Sequence, residues 1–386
     1  MRLEFLQEIY EQSGPFATVY LDTSGDAEDA NKARQLRWRS ACEHLTNQGA
    51  SEETIEALSH AIGDDTFQQP QAGRKGQVLV AAHGTVLFTD ELEDPPTQFP
   101  SDQQATFSAI PHLMPYLRTR SSRAPHLLVM IDRHGAEITA VGNTLKERTR
   151  TVEGDDNNPL RKSSEVARGD HEESHFSAVE EQWKSNADSI AKKVSRDATQ
   201  YDVELIVLGG DPQMSSLLKD RLHKETEKLV VQTDASNRGA NESNERLQDA
   251  IAEAVASVVQ EQVQETVTKF EEKRGNNGGA AEGWQAIIGA LQAGQIQTLL
   301  WGRTADSSDA QGTLSIGSEP NLLAADDDTV KEIGSEWVDH APAEDAVLRA
   351  LVGTGADVVF VDSDQVSLTD NVGAVLRFST AMDDSS

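Results

Sequence analysis

A single cysteine, Cys42, serves a chain of 386 residues, so neither an intramolecular disulfide nor a Cys-rich zinc or iron–sulfur site is available. Long apolar runs are missing too: nothing approaches the roughly 18–20 consecutive apolar residues that a bilayer span needs. The opening MRLEFLQEIYEQSG reads as an acidic amphipathic helix and not as a signal peptide. Basic residues are the scarce charge, with 34 Lys and Arg against 65 Asp and Glu and a formal net charge of −31. These absences predict a soluble cytoplasmic protein with no membrane partner. At roughly 100–200 residues per domain the length allows two or three domains.

The acidic excess is spread along the chain and not held in one tail, a pattern that keeps a protein dispersed in strong salt. A salt-adapted, halophile-like source is expected. At 1 M ionic strength the Debye length falls to about 3 Å, so repulsion from a polyanionic partner is largely screened. The net charge therefore does not exclude nucleic acid.

Periodicity and punctuation divide the chain into three blocks, 1–122, 123–268 and 269–386. In the first, Gly14-Pro15 breaks the opening helix, 16–21 alternates as a strand, and a helix follows over about 30–45. Residues 76–83 and 85–88 around Gly84 read as a β-hairpin. In the second, 126–131 and 136–141 are strands around the turn Asp132-Arg133-His134-Gly135, and 178–198 is a helix. A further strand over 203–208 ends in Gly209-Gly210-Asp211-Pro212 before a helix at about 214–222. Between 142 and 176 periodicity disappears, and a loop of that length is usually functional or disordered. A long helix, about 241–273, leads into a third block read as helix 284–293, strand 298–301, an acidic loop, helix 343–353, strand 357–361 and a closing segment over 372–378. Strands alternating with helices predict an α/β fold with mixed sheets flanked by helices.

Charge differs between the blocks. Lys and Arg against Asp and Glu number 9 and 18 in the first, 18 and 27 in the second, and 7 and 20 in the third. Lys146, Arg148, Arg150, Arg161, Lys162 and Arg168 cluster in or near the long loop. Phosphates would be met there.

Local motifs carry less. His171-Glu172-Glu173-Ser174-His175 fits H-E-x-x-H, which on a helix face holds zinc with the Glu as general base. Gly169-Asp170 in front of it marks a helix start, which leaves both histidines at a solvated end without a packed outer shell. No metal and no cofactor is expected. Gly209-Gly210-Asp211-Pro212 lacks the spacing of a phosphate loop and reads as a strand–turn–helix connection. Cys42, Trp38 and Trp183 read as packing residues.

The order of the pieces says more. Gly14-Pro-Phe-Ala-Thr-Val-Tyr-Leu-Asp22, Arg37-Trp38-Arg39, Leu128 through Glu137, Trp183 through Ala187, Glu344 through Ala356 and Gly373 through Arg377 together resemble the bacterial and archaeal relatives of archaeo-eukaryotic class-one release factors. Within them the chain is similar to family 2, the subfamily of the mycobacterial and Balon-type ribosome hibernation factors. The resemblance implies a three-domain, release-factor/Pelota-like α/β architecture with mixed sheets. It also implies binding to rRNA in the ribosomal A site, and company from elongation factor Tu or its archaeal counterpart. In release factors the central loop carries Gly-Gly-Gln, which positions water against peptidyl-tRNA. Here 143–175 contains neither that triplet nor any Gly-x-Gln, so the positioning that ester hydrolysis needs is absent. The expectation is a non-catalytic hibernation factor with Arg161, Lys162, Arg168 and His171 contacting RNA. The alternative is a peptidyl-tRNA hydrolase or rescue enzyme of the Vms1-like branch, with His171 or His175 as general base.

The charge balance makes a prediction of its own. The folded state should be lost in low-salt buffer and regained in molar salt, followed by circular dichroism; an unfolding midpoint that ignores salt would contradict adaptation to it.

Overall fold

The computed structural model describes residues 1–24, 30–68, 75–98, 103–142, 148–153, 172–233, 240–275, 279–303 and 312–378. In the first block α1 (Gln7–Tyr10) precedes β1 (Phe16–Asp22), then α2 (Ala30–Asn47), α3 (Glu52–Gln68), β2 (Gly76–Ala82), β3 (Thr85–Leu92), β4 (Ala105–Ser108) and α4 (Met114–Arg120). The strands form one antiparallel sheet in the order β3-β2-β1-β4. All seven residues of β1 are buried, because both faces of the strand are covered. Ala17, Val19 and Leu21 meet Leu45, Leu58 and Ile62 of α2 and α3 on one side. Phe16 and Tyr20 point into a second core with Leu6, Ile9, Met114 and Leu117 on the other. The predicted hairpin closes through His83 (φ 48°) and Gly84 (φ 72°), both left-handed as a two-residue turn between twisted strands requires.

The second block is a five-stranded sheet, β7-β6-β5-β8-β9, built from β5 (His126–Ile131), β6 (Gly135–Val141), β7 (Arg148–Glu153), β8 (Leu205–Gly210) and β9 (Val230–Gln232). β5, β8 and β9 run parallel, while β6 and β7 turn back antiparallel. Helices α5 (Glu172–Gln200) and α6 (Pro212–Lys219) pack on one face, where Ile190, Val194, Met214 and Leu218 meet Leu127, Val129 and Ile131. After the short α7 (Lys224–Glu227), α8 (Ala240–Gly275) lies on the other face, with Ala254 and Val258 against Leu205 and Val207. A strand covered on both sides reads as a near-continuous apolar run, which is why β5 and β8 stand out in the sequence.

In the third block β10 (Ala280–Glu282), α9 (Trp284–Gln292) and β11 (Ile296–Gly302) are followed by β12 (Thr313–Ile316), β13 (Leu323–Ala324), α10 (Asp327–Glu332) and β14 (Asp339–Pro342). Then come α11 (Ala343–Thr354), β15 (Asp357–Val361) and β16 (Val372–Leu376). One sheet is ordered β10-β16-β11-β15 and a smaller one β13-β12-β14. The stretch read as an acidic loop thus holds three short strands and a helix. Packing divides the chain into two compact units, 1–121 with 262–386, and 122–261. Each sequence block keeps a sheet of its own, but the first and third share one core that runs from Leu3 through Leu376. Among the described residues no helix is long and apolar enough to cross a membrane.

The union of the chain's two ends turns on α11. Nine of its residues are buried, including two acids in its first turn, Glu344 and Asp345. Asp345 Oδ2 lies 2.7 Å from Nδ1 of buried His112, and Glu344 accepts from the Arg118 guanidinium at 2.7 Å. The helix N-terminus adds a favourable field at both carboxylates. Burial alone would depress the His112 pKa; the Asp345 charge and its hydrogen bond overcome that and raise it. A raised histidine adds stability that is complete below its unfolded value near 6.5 and fades as pH rises through its folded value. His112→Gln should cost about 3–5 kcal/mol at pH 6, as expected for breaking one side of a buried pair. In urea unfolding the difference from wild type should shrink toward pH 9; a difference constant with pH would refute the ion pair.

Candidate nucleic-acid interface

The expected RNA contacts Arg161, Lys162, Arg168 and His171 lie outside the described residues, as does Lys146. The structure does describe where their segment departs and returns. Glu153, the last residue of β7, sits opposite Gly135 at the β5–β6 turn, and α5 begins at Glu172. The helix therefore starts six residues earlier than apolar periodicity indicates. Acidic Glu172 and Glu173 suit a helix N-terminus electrostatically while adding nothing to an apolar stripe.

The β5–β6 turn is held by Asp132, whose Oδ1 accepts from the amides of His134 at 2.8 Å and Gly135 at 3.0 Å. Arg133 projects from this turn with 55% of its side chain exposed. Its guanidinium lies 5.0 Å from the centre of the Trp183 ring, and its Nε donates to Asp211 at 3.2 Å. Trp183 is half-buried against the central core, in keeping with a packing residue, and Arg133 covers a ring face.

Gly209-Gly210-Asp211-Pro212 is a strand–turn–helix connection, as its spacing predicts. Gly210 adopts φ +113° where β8 passes β5, and a Cβ there would stand 2.0 Å from the Ile131 carbonyl oxygen. Asp211 then caps α6, its Oδ1 accepting from the amides of Gln213 at 3.0 Å and Met214 at 3.2 Å. The place an external phosphate would take is filled by the protein's own carboxylate.

Strand β7 is a correction to the sequence reading, which places 148–153 inside the long loop. Arg-Thr-Arg-Thr-Val-Glu carries one apolar residue, and β7 is an edge strand with Arg148, Thr149 and Thr151 exposed, so the usual apolar alternation has nothing to show. Only Val152 enters the core. The two arginines differ in role. Arg150 pairs with Asp197 of α5, which is 3% exposed, and donates to the Lys193 carbonyl at 3.3 Å. Arg148 stays exposed, its guanidinium 6.0 Å from the centre of the Tyr201 ring. Exposed Lys192 and Arg196 on α5 add positive charge to this unit.

His171 is outside the described residues, and Glu172 through His175 open α5, so the motif stands at a helix start. No group of three potential metal ligands occurs among the described residues. Cys42 is half-buried on α2, and burial pushes its thiol up to about 11, which leaves it a poor nucleophile at neutral pH.

Arg150 and Arg148 should therefore separate in mutagenesis. Arg150→Ala is expected to destabilise the protein by about 2–3 kcal/mol, less than for a fully buried pair because the guanidinium is one-third exposed. Arg148→Ala should leave stability within about 0.5 kcal/mol of wild type. Urea midpoints check both, and equal losses would contradict the division between a structural and an accessible cation.

Comparison with known proteins bears on the same unit. Residues 125–276 match the family model of bacterial archaeo-eukaryotic release factor family 2. An uncharacterized protein of Mycobacterium tuberculosis, found in two strains, is 26% identical over 381 residues, covering 98% of this chain and 97% of its own length. Among solved structures, an archaeal translation termination factor shares 13% identity over 97% of this chain and 96% of its own, with a TM-score of 0.26. Saccharomyces cerevisiae Dom34, a translation termination-like factor involved in RNA quality control pathways, shares 12% identity over 80% of this chain and 81% of its own, with a TM-score of 0.41. The family match begins one residue before β5 and ends just past α8, so it takes in the whole five-stranded sheet and the helices on both its faces. Through this central block the chain resembles the bacterial archaeo-eukaryotic release factors of family 2.

Proposed function

We propose that this protein is a ribosome-binding translation factor that occupies the A site of idle ribosomes without cutting peptidyl-tRNA. The observation that carries the reading is a release-factor-family central block, 125–276, whose segment 143–175 has no Gly-Gly-Gln and no Gly-x-Gln. Without the glutamine-bearing tip, nothing in the segment positions water against an ester, and positioning is the larger part of what such a site contributes. What remains is a means of binding. Arg161, Lys162 and Arg168 supply charge for phosphates, and His171 adds a ring for stacking or hydrogen bonding. Arg148 and the Arg133–Trp183 pair belong to the same block. The central unit holds 18 Lys and Arg against 26 Asp and Glu, whereas the unit formed by the chain ends holds 16 against 39. RNA contact through the central unit is thus electrostatically the less costly choice. Delivery in company with elongation factor Tu or its archaeal counterpart belongs to this reading, as does a role in ribosome hibernation under stress.

Co-sedimentation of purified protein with vacant ribosomes over a salt series tests the binding. The affinity should fall steeply with salt, and the triple variant Arg161→Ala, Lys162→Ala, Arg168→Ala should flatten the logarithmic slope by about 2–3, roughly 0.7–0.9 for each phosphate no longer neutralised. A wild-type slope retained by the triple variant would remove these residues from the interface. In parallel, ribosomes carrying labelled peptidyl-tRNA should keep their peptide. Release that disappears in His171→Ala would instead establish a rescue hydrolase.

A further inference from the structure

A cleft of about 930 Å³ opens in the unit formed by the chain's two ends, far larger than any turn or cap geometry requires. One wall is Phe16 at the start of β1 with Phe107 of edge strand β4; the other is the segment 337–340 leading into β14. Trp337 on this wall is 48% exposed, an unusual position for an indole in so acidic a protein. Two carboxylates share the cleft with it, Glu11 and Asp339, and neither has an ion-pair partner among the described residues. The one guanidinium among the described lining residues, that of Arg349, is spent on the carbonyls of Gly317 at 2.9 Å and Ser318 at 2.7 Å. His340 is likewise engaged, its Nε2 lying 3.0 Å from Asp327. The Tyr10 hydroxyl, also of the cleft lining, is buried without a hydrogen-bond partner among the described residues, in the field of the Asp345 carboxylate.

We propose that this cleft receives an extended, basic peptide segment of a partner protein, with an Arg or Lys side chain laid on Trp337 and its charge met by Glu11 and Asp339. Indole is the best of the aromatic rings for holding a cation on its face. β14 is an edge strand of its small sheet, so an extended chain can lie beside it; Asp339 Oδ1 already takes the His340 amide at 2.8 Å, which leaves side chains and not a full ladder to set the affinity. The surrounding unit, with 16 Lys and Arg against 39 Asp and Glu, draws in cations and repels polyphosphate. Nucleic acid is thereby disfavoured here, and a purely apolar ligand would leave both carboxylates unanswered. The inference stands apart from the ribosome reading, because it uses no residue of the central unit.

Titration calorimetry of the full chain with a short peptide of alternating Arg and Ser tests it, beside a peptide of alternating Glu and Ser. The basic peptide should bind saturably and the acidic one should not. Trp337→Ala should weaken binding about tenfold, within the range of a desolvated cation–π contact, and Trp337→Phe by less. Glu11→Gln combined with Asp339→Asn should weaken it further than Glu271→Gln combined with Glu272→Gln, an equal charge change on exposed α8 positions of the same unit. Because Trp337, Glu11, Glu271 and Glu272 are exposed and Asp339 is half-exposed, unchanged urea midpoints should accompany all of these variants. Equal losses in the two charge pairs, or indifference to Trp337→Ala, would reduce the effect to general attraction by an acidic surface and overturn the site.

Discussion

A buried contact between His112 and Asp345 joins parts of the chain 233 residues apart, and the architecture of the larger unit rests on it and its neighbour, Arg118 with Glu344. Two carboxylates at the start of a buried helix would be costly without partners, and the partners come from the segment around α4. Once the pairs form, α11 can be apolar around nearly its whole circumference, because one side serves the third-block sheet and another the first block. The N-terminus follows the same logic. Backbone bonds link Met1 and Val358 in both directions, so the start of the chain is held at β15. Aromatic packing around Tyr116 ties the opening segment into the first block: its hydroxyl donates to Asp90 at 2.7 Å and accepts from Arg120, whose guanidinium lies over Phe5.

Elements with a two-sided apolar environment are legible in the sequence. β1, β5, β8 and β11 read directly because burial of both faces forces continuous apolar residues, and α8 reads to within two residues because a broad apolar stripe runs along it. Short or largely polar edge elements are not. β4 and β7 are edge strands, the first only four residues long and the second with a single apolar residue, so neither shows an alternation long enough to mark a strand. α3 begins with a Ser51 cap, which accepts from the Thr54 amide at 3.3 Å, a signal present in the sequence but without strong periodicity behind it. The union of first and third blocks is invisible locally, since no short window registers packing against the far end of the chain.

The candidate interface is legible in part. Charge counting singles out the block that the family model matches, and the turn reading of 209–212 agrees with a capped helix. What sequence cannot distinguish is Arg150 from Arg148: the same residue type two positions apart, one tied to a buried aspartate and the other exposed. The distinction depends on Asp197, far along the chain and on another element. Trp337 escapes notice for a related reason, because an aromatic residue in an acidic stretch gives no sign of whether it is buried.

The two units divide their chemistry along the same line as their charge. The central one holds most of the family-model match and most of the chain's cations, and the other is acidic and contains the cleft lined by Trp337, Glu11 and Asp339. Electron cryo-microscopy of ribosomes incubated with the purified protein and peptidyl-tRNA measures the central claim most directly. The account predicts the protein in the A site with its central block directed at the peptidyl-transferase centre and the ester intact; an empty A site, or a hydrolysed ester beside the bound protein, would contradict it.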